Sequence, residues 1–160
     1  MHRRRMSIRT LLIAAALLLL AVAYFHPSAA SHKAAFPADL ARTPGVVNPD
    51  VTDSNIAATI CKHGWTRTIR PPTDYTNALK VKQMREYGVR GSPSQYQEDH
   101  LISLELGGHP TDARNLWPEP YPRAAEMDSI ENDLNGKVCS GAMSLDDAQR
   151  QESELKHADG

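Results

Sequence analysis

Apolar and polar positions divide the chain into stretches of different period. Leu11 to Phe25, LLIAAALLLLAVAYF, is apolar at nearly every position, and no later run is. IAATICKHGWTRTIRPP predicts a short strand or strand pair around Cys61 and Trp65, stopped by Pro71 and Pro72. TDYTNALKVKQMREYG predicts a helix, with Thr73 or Asp74 as its cap and Gly88 ending it in the left-handed conformation. YQEDHLI is too short and mixed for its period alone to decide. On a strand, Tyr96, Glu98 and His100 would share one face. GGHPTDA reads as a turn, and NLWP as a short extended piece that Pro118 ends. From Ala124 a second helix is expected, with Met127, Ile130, Leu134 and Val138 on one face. Asp128, Glu131, Asn132 and Asn135 fall on another. Gly136 weakens that helix by about 1 kcal/mol against Ala and is expected to end it early. Ser144 opens a last helix, with Asp147 in the place of the capping-box acid.

The pattern also sets an organisation. Residues 31–55 are rich in turn formers and read as an extended linker laid over the surface. Residues 56–150 form one domain, and the polar end, 151–160, is expected to fray. MHRRRMSIRT precedes the apolar run with four arginines and no acid, and small residues follow it, including Ser28 and Ala30. Basic head, apolar run and small-residue exit predict a secretory signal over residues 1–30. The run is shorter than the roughly 20 residues of a spanning helix, so an uncleaved anchor is the weaker alternative. The mature chain would be secreted or periplasmic.

Charge changes this picture. Loss of residues 1–30 moves the formal net charge from −1 to −5, a poor start for gripping nucleic acid by bulk charge. Residues 61–90 nevertheless carry seven cations against Asp74 and Glu86, and residues 124–160 carry nine acids against three cations. The bland reading is two solvated faces. Cys61 and Cys139 are the two cysteines. In an exported chain they are expected to form one disulfide, the alternative being two buried thiols. Two Cys without a Cys-x-x-Cys do not make a structural zinc site.

Candidate chemistry concentrates in EDHLISLELGG and RNLWPEP. Cleaving a phosphodiester with water requires a base, a stabiliser of the growing negative charge and a means of holding the phosphate in line. His100, titrating near neutrality, suits the base. The hard carboxylate of Asp99 suits a divalent cation. Asn115 could hold the second imidazole nitrogen and set its tautomer. Taken singly, each has a plainer role: Asn115 a turn residue, Leu116 and Trp117 core, Asp128 a solvated helix acid. His63 and His109 read as loop residues.

Taken together, EDHLISLELGG followed by RNLWPEP resembles the HNH, or His-Me finger, endonucleases. NPDVT, TIC, GWT and RPP ahead of it resemble a group of small exported bacterial HNH-like proteins. The resemblance covers roughly residues 44 to 150. It implies an α+β domain with a ββα-metal core, two short antiparallel strands carrying Asp99-His100 and Asn115-Leu116. His100 would be the general base and Asn115 its orienting partner. Asp99 would ligate the metal, and Asp128, from the following helix, would be the second ligand, with Glu131 next in line. Mg²⁺ is the expected ion, with Mn²⁺, Zn²⁺ and Ni²⁺ as alternatives. Arg114 and Arg123 are the candidate phosphate partners, and the partner is nucleic acid, DNA before RNA. Three departures stand out: Ser103 where the motif often has Pro, Met127 where a Lys is expected, and no His-x-x-x-His after Asn115. The implied function is therefore a metal-dependent endonuclease of little sequence preference. The alternatives are a degenerate domain that binds nucleic acid or a protein without cutting, and an envelope structural module. Convergence of Asp99, His100 and Asp128 on one polar pocket separates the enzyme from the other two.

Overall fold

The structure is a computed structural model that describes residues 36–159. The expected signal segment, 1–30, lies outside the described residues. A two-stranded antiparallel sheet and four helices make up the mixed α+β architecture among them. Helix α1 is a single turn, Thr66–Ile69, and α2 spans Thr73–Glu86. Strands β1 (Tyr96–His100) and β2 (Leu116–Pro120) follow, then α3 (Arg123–Cys139) and α4 (Leu145–Ala158).

The hairpin is the centre of the fold. Asp99 pairs with Trp117 and His100 with Leu116 in the β1–β2 register. The loop between the strands turns back through Leu104–Leu106, a 3₁₀ turn ended by Gly107 at φ +77°. Gly108 has no room for a side chain. A Cβ there would meet the Ile102 carbonyl and lie 2.8 Å from Asn115 Nδ2. The Gly-Gly pair is thus a left-handed turn followed by a close backbone approach, two different uses of a missing Cβ. Residues 36–55 run through several turns, and Val46 to Asn48 lie against this loop. Val47 bridges Gly108, His109 N–H donates to the Val46 carbonyl, and Asn48 N–H donates to the Gly107 carbonyl.

Two apolar clusters flank the sheet. One joins Ile60, Ile102, Leu106, Leu134, Val138, Leu145 and Ala148, so it ties the loop to α3 and α4. The other packs Ala38, Leu101 and Trp117 against Phe36 and Tyr87, with Phe36 stacked on Trp117 at 6.0 Å between centroids. The Cys61–Cys139 disulfide closes a 78-residue separation onto the end of α3. In the chain-entropy account a loop of that length contributes about 4.5 kcal/mol.

Five local expectations fail. Pro118 does not end the extended NLWP piece, since β2 stays paired with β1 as far as Pro120. The segment around Cys61 and Trp65 is helical and turn-like rather than a strand: it contains Ile56–Ala58 as a 3₁₀ turn and then α1. Helix α2 begins after Pro72 with no side-chain cap, although Gly88 does take φ +67°. Gly136 does not stop α3, which continues to Cys139, where the disulfide and Val138 packing hold its last turn. The polar end does not fray. Helix α4 runs to Ala158 and fully buries Glu152 and Lys156. Polar composition alone could not distinguish a solvated end from one whose charges are paired inside.

Candidate active site

His100 ends β1 and is buried, the residue being 5% exposed. Its Nε2 lies 3.0 Å from the Pro110 carbonyl oxygen. A carbonyl only accepts, so Nε2 carries the proton and Nδ1 carries the lone pair. Burial lowers the ring's pKa, and the Pro110 bond and the Asp99 charge oppose that shift only in part. The neutral, basic form is therefore present at neutral pH.

Asn115 does not orient His100. Its side chain is wholly buried and works on backbone instead. Oδ1 accepts from Ile102 N–H at 3.0 Å and Val46 N–H at 3.2 Å. Nδ2 donates to the Ile102 carbonyl at 3.0 Å and the His109 carbonyl at 3.1 Å. It clamps the loop that carries Pro110, so it reaches His100 only through the carbonyl that loop presents. A primary amide has two donors and two acceptor lone pairs, and this one uses both kinds on a loop with no sheet partner.

Asp99, expected to face a metal, is turned onto an ammonium. Lys156 Nζ donates to Asp99 Oδ2 at 2.8 Å, to the His100 carbonyl at 2.6 Å and to Glu131 Oε1 at 2.7 Å. Glu152 Oε1 lies 3.5 Å away, and both Glu152 oxygens accept from Ser103 N–H. Burial alone would lower Lys156; the charges of Asp99, Glu152 and Glu131 outweigh it and hold the ammonium well above its usual range. Burial alone would raise Asp99; the Lys156 charge and a hydrogen bond from Glu119 outweigh it and hold that carboxyl below its usual range.

Glu119 on β2 is fully buried, and neither of its oxygens has a donor when it is ionised. Burial, then the adjoining Asp99 carboxylate, push its pKa up to about 9. At neutral pH it is a carboxylic acid that donates to Asp99. Asp99, Glu131 and Glu152 thus gather around one ammonium at the base of the hairpin, with neutral Glu119 behind Asp99.

Beside this cluster opens a polar cleft of about 270 Å³, lined by Thr66, Arg70, Glu105, Asp128, Glu131 and Asn132. Burial pushes Glu105 up to about 7, reinforced by the charges of Glu131 and Asp128. Asp128 is raised by burial and by the Asp99 charge, with Lys156 and Arg70 opposing. Arg70 connects the cleft to the base, since its charge also acts on His100.

Of the expected site residues, Asp128 lines this cleft, while Asp99 and His100 are not among the residues lining it. Arg114 is held by Asp112 at 2.6 Å, and Arg123 by Glu126 and Asp159. His109 Nδ1 accepts from Thr111 and Asp112 N–H, a turn role. Among the described residues no three His, Cys, Asp or Glu side chains are grouped to hold one metal ion. With Asp99 already bound to an ammonium, the donor set does not fit the divalent cation that the resemblance implies.

Sequence reasoning missed Arg70, Lys156 and Glu119 as site residues. Arg70 stood in the basic segment, Lys156 in a tail expected to fray, and Glu119 between two prolines. Nothing local to those positions signals the site. No protein-family model, curated protein or solved structure matches the chain.

Proposed function

We propose that this chain is an exported, HNH-like hydrolase of nucleic acid phosphodiesters in which His100 is the general base. One observation carries the reading: the Pro110 carbonyl fixes His100 in a single tautomer, with Nδ1 unprotonated and without a hydrogen-bond partner among the described residues. A base needs that lone pair free and its pKa low enough to be neutral at work. Nδ1 takes the proton of the attacking nucleophile. Arg70 meets the phosphate charge that grows as attack proceeds, a task its planar guanidinium suits. Glu105, poised near neutrality, gives a proton to the leaving oxygen. Export is supported by the Cys61–Cys139 disulfide. No helix among the described residues is long and apolar enough to cross a membrane.

Asp128 lines the cleft while Asp99 and His100 do not, which favours a second reading, a binding domain that kept the hairpin and lost the chemistry. The two readings part in one experiment. Plasmid DNA and single-stranded RNA are incubated with the oxidised protein in EDTA, and in Mg²⁺, Mn²⁺, Zn²⁺ or Ni²⁺. His100→Gln keeps an N–H for Pro110 and removes the base, so cleavage is expected to fall by about a hundredfold or more. Undiminished cleavage by folded His100→Gln removes His100 as the base. No cleavage of either polymer under any condition selects the binding domain.

A further inference from the structure

An ammonium has three N–H donors, and Lys156 aims all three at acceptors: Asp99 Oδ2, the His100 carbonyl and Glu131 Oε1, at 2.6 to 2.8 Å. The group is wholly buried, with no face left for water. Its acceptors come from two elements, β1 and α3, while the lysine itself comes from α4. This is the work a metal ion does in a small site. It gathers oxygens from separate elements around one positive centre and neutralises carboxylates that would otherwise repel.

We propose that Lys156 is the built-in cation of this site: its ammonium takes the place of a divalent metal beside Asp99 and makes the hairpin metal-independent. The proposal rests on reading β1, β2 and α3 as the ββα element that the sequence resembles. A cation at ordinary metal–oxygen distance from Asp99 Oδ2 would sit next to Nζ, where two positive centres repel, while Oδ1 accepts from Gln97 Nε2 at 3.2 Å. Asp99 Oδ2 is already spent on the ammonium. Lys156 also holds the His100 carbonyl, so it positions the base without touching a substrate.

Around the ammonium lie Asp99, Glu131 and Glu152, with Glu119 behind Asp99. Glu119 is fully buried with neither oxygen partnered by a donor. That is more carboxyl oxygen than a single charge needs. Only with the ammonium removed would these oxygens be free to face another cation.

The test begins with metal-stripped wild-type protein. Calorimetric titration with Mg²⁺ and Mn²⁺ should show no site at Asp99, and millimolar Mn²⁺ should leave the melting temperature where EDTA leaves it. Lys156→Ala removes the ammonium and opens space among the carboxylates. It is expected to bind about one Mn²⁺, and its melting temperature should rise with Mn²⁺ by mass action while the wild type stays unmoved. If Lys156→Ala does not fold in metal-free buffer, the readout is refolding on addition of Mn²⁺. One equivalent of Mg²⁺ or Mn²⁺ bound by the wild type, and lost in Asp99→Asn, overturns the proposal. So does a Lys156→Ala protein that neither binds Mn²⁺ nor recovers in it. These are binding and stability measurements. A protein that cuts no nucleic acid would sink the nuclease reading and leave them standing.

Discussion

Asn115→Ala separates two accounts of one residue. If Asn115 served only to aim His100, its loss would lower activity and leave stability alone. The observed side chain instead makes four hydrogen bonds to backbone, at 3.0 to 3.2 Å, inside a wholly buried environment. The Ile102 N–H and carbonyl make no other hydrogen bond among the described residues. A net intramolecular hydrogen bond contributes about 1 kcal/mol, and a buried group left unsatisfied costs about 1–3 kcal/mol. Four bonds, two of them leaving orphaned buried backbone groups, come to about 4–8 kcal/mol. That is a large share of the roughly 5–15 kcal/mol that holds a domain folded. Equilibrium urea unfolding, followed by tryptophan fluorescence from buried Trp117, measures it. The midpoint should fall sharply with the slope nearly unchanged, because the loop that Asn115 clamps joins both strands and both core clusters. A loss under about 1 kcal/mol would refute the reasoning, since it would mean water or another group satisfies Ile102 at no cost.

Three further outcomes are expected. Reduction, or Cys139→Ser, should lower stability by about 4.5 kcal/mol in the loop-entropy account, read as a drop in urea midpoint; an unchanged midpoint would show that α3 docks without the bridge. Glu119 keeps in the fold a proton that it releases on unfolding, so its contribution is complete below about pH 4.5 and is lost as pH rises towards about 9. Stability should therefore fall through that window by about 1.4 kcal/mol per pH unit for this one proton, and Glu119→Gln should flatten the slope. Asp99 acts in the opposite sense, its contribution being lost on acidification, so melting temperature measured across pH should peak in mild acid. Gly108→Ala would drive a methyl group into the Ile102 carbonyl, and the expected result is failure to accumulate folded protein. Circular dichroism of a well-folded Gly108→Ala protein would show that the loop can shift.

The sequence by itself determined the elements whose signals are local. Period-four apolar spacing located α3, Ser144 and Asp147 located the start of α4, and Gly88 located the end of α2. Period alone did not decide the first strand; the resemblance of EDHLISLELGG and RNLWPEP to the HNH motif, with the extended NLWP segment, placed the two strands. Two cysteines were enough for the disulfide, because an even count of two allows a single pairing. Tertiary structure decided everything that depends on what sits opposite. Which imidazole nitrogen is free follows from Pro110, ten residues further along the chain. Whether Asp99 meets a metal or an ammonium follows from Lys156, 57 residues away. The charge state of Glu119 follows from the burial of two carboxyl groups side by side. Electrostatics in a buried site depends on through-space neighbours and on the loss of water, and neither quantity has a period along a chain. For the same reason a helix end read as polar and frayed holds the most deeply buried cation of the site.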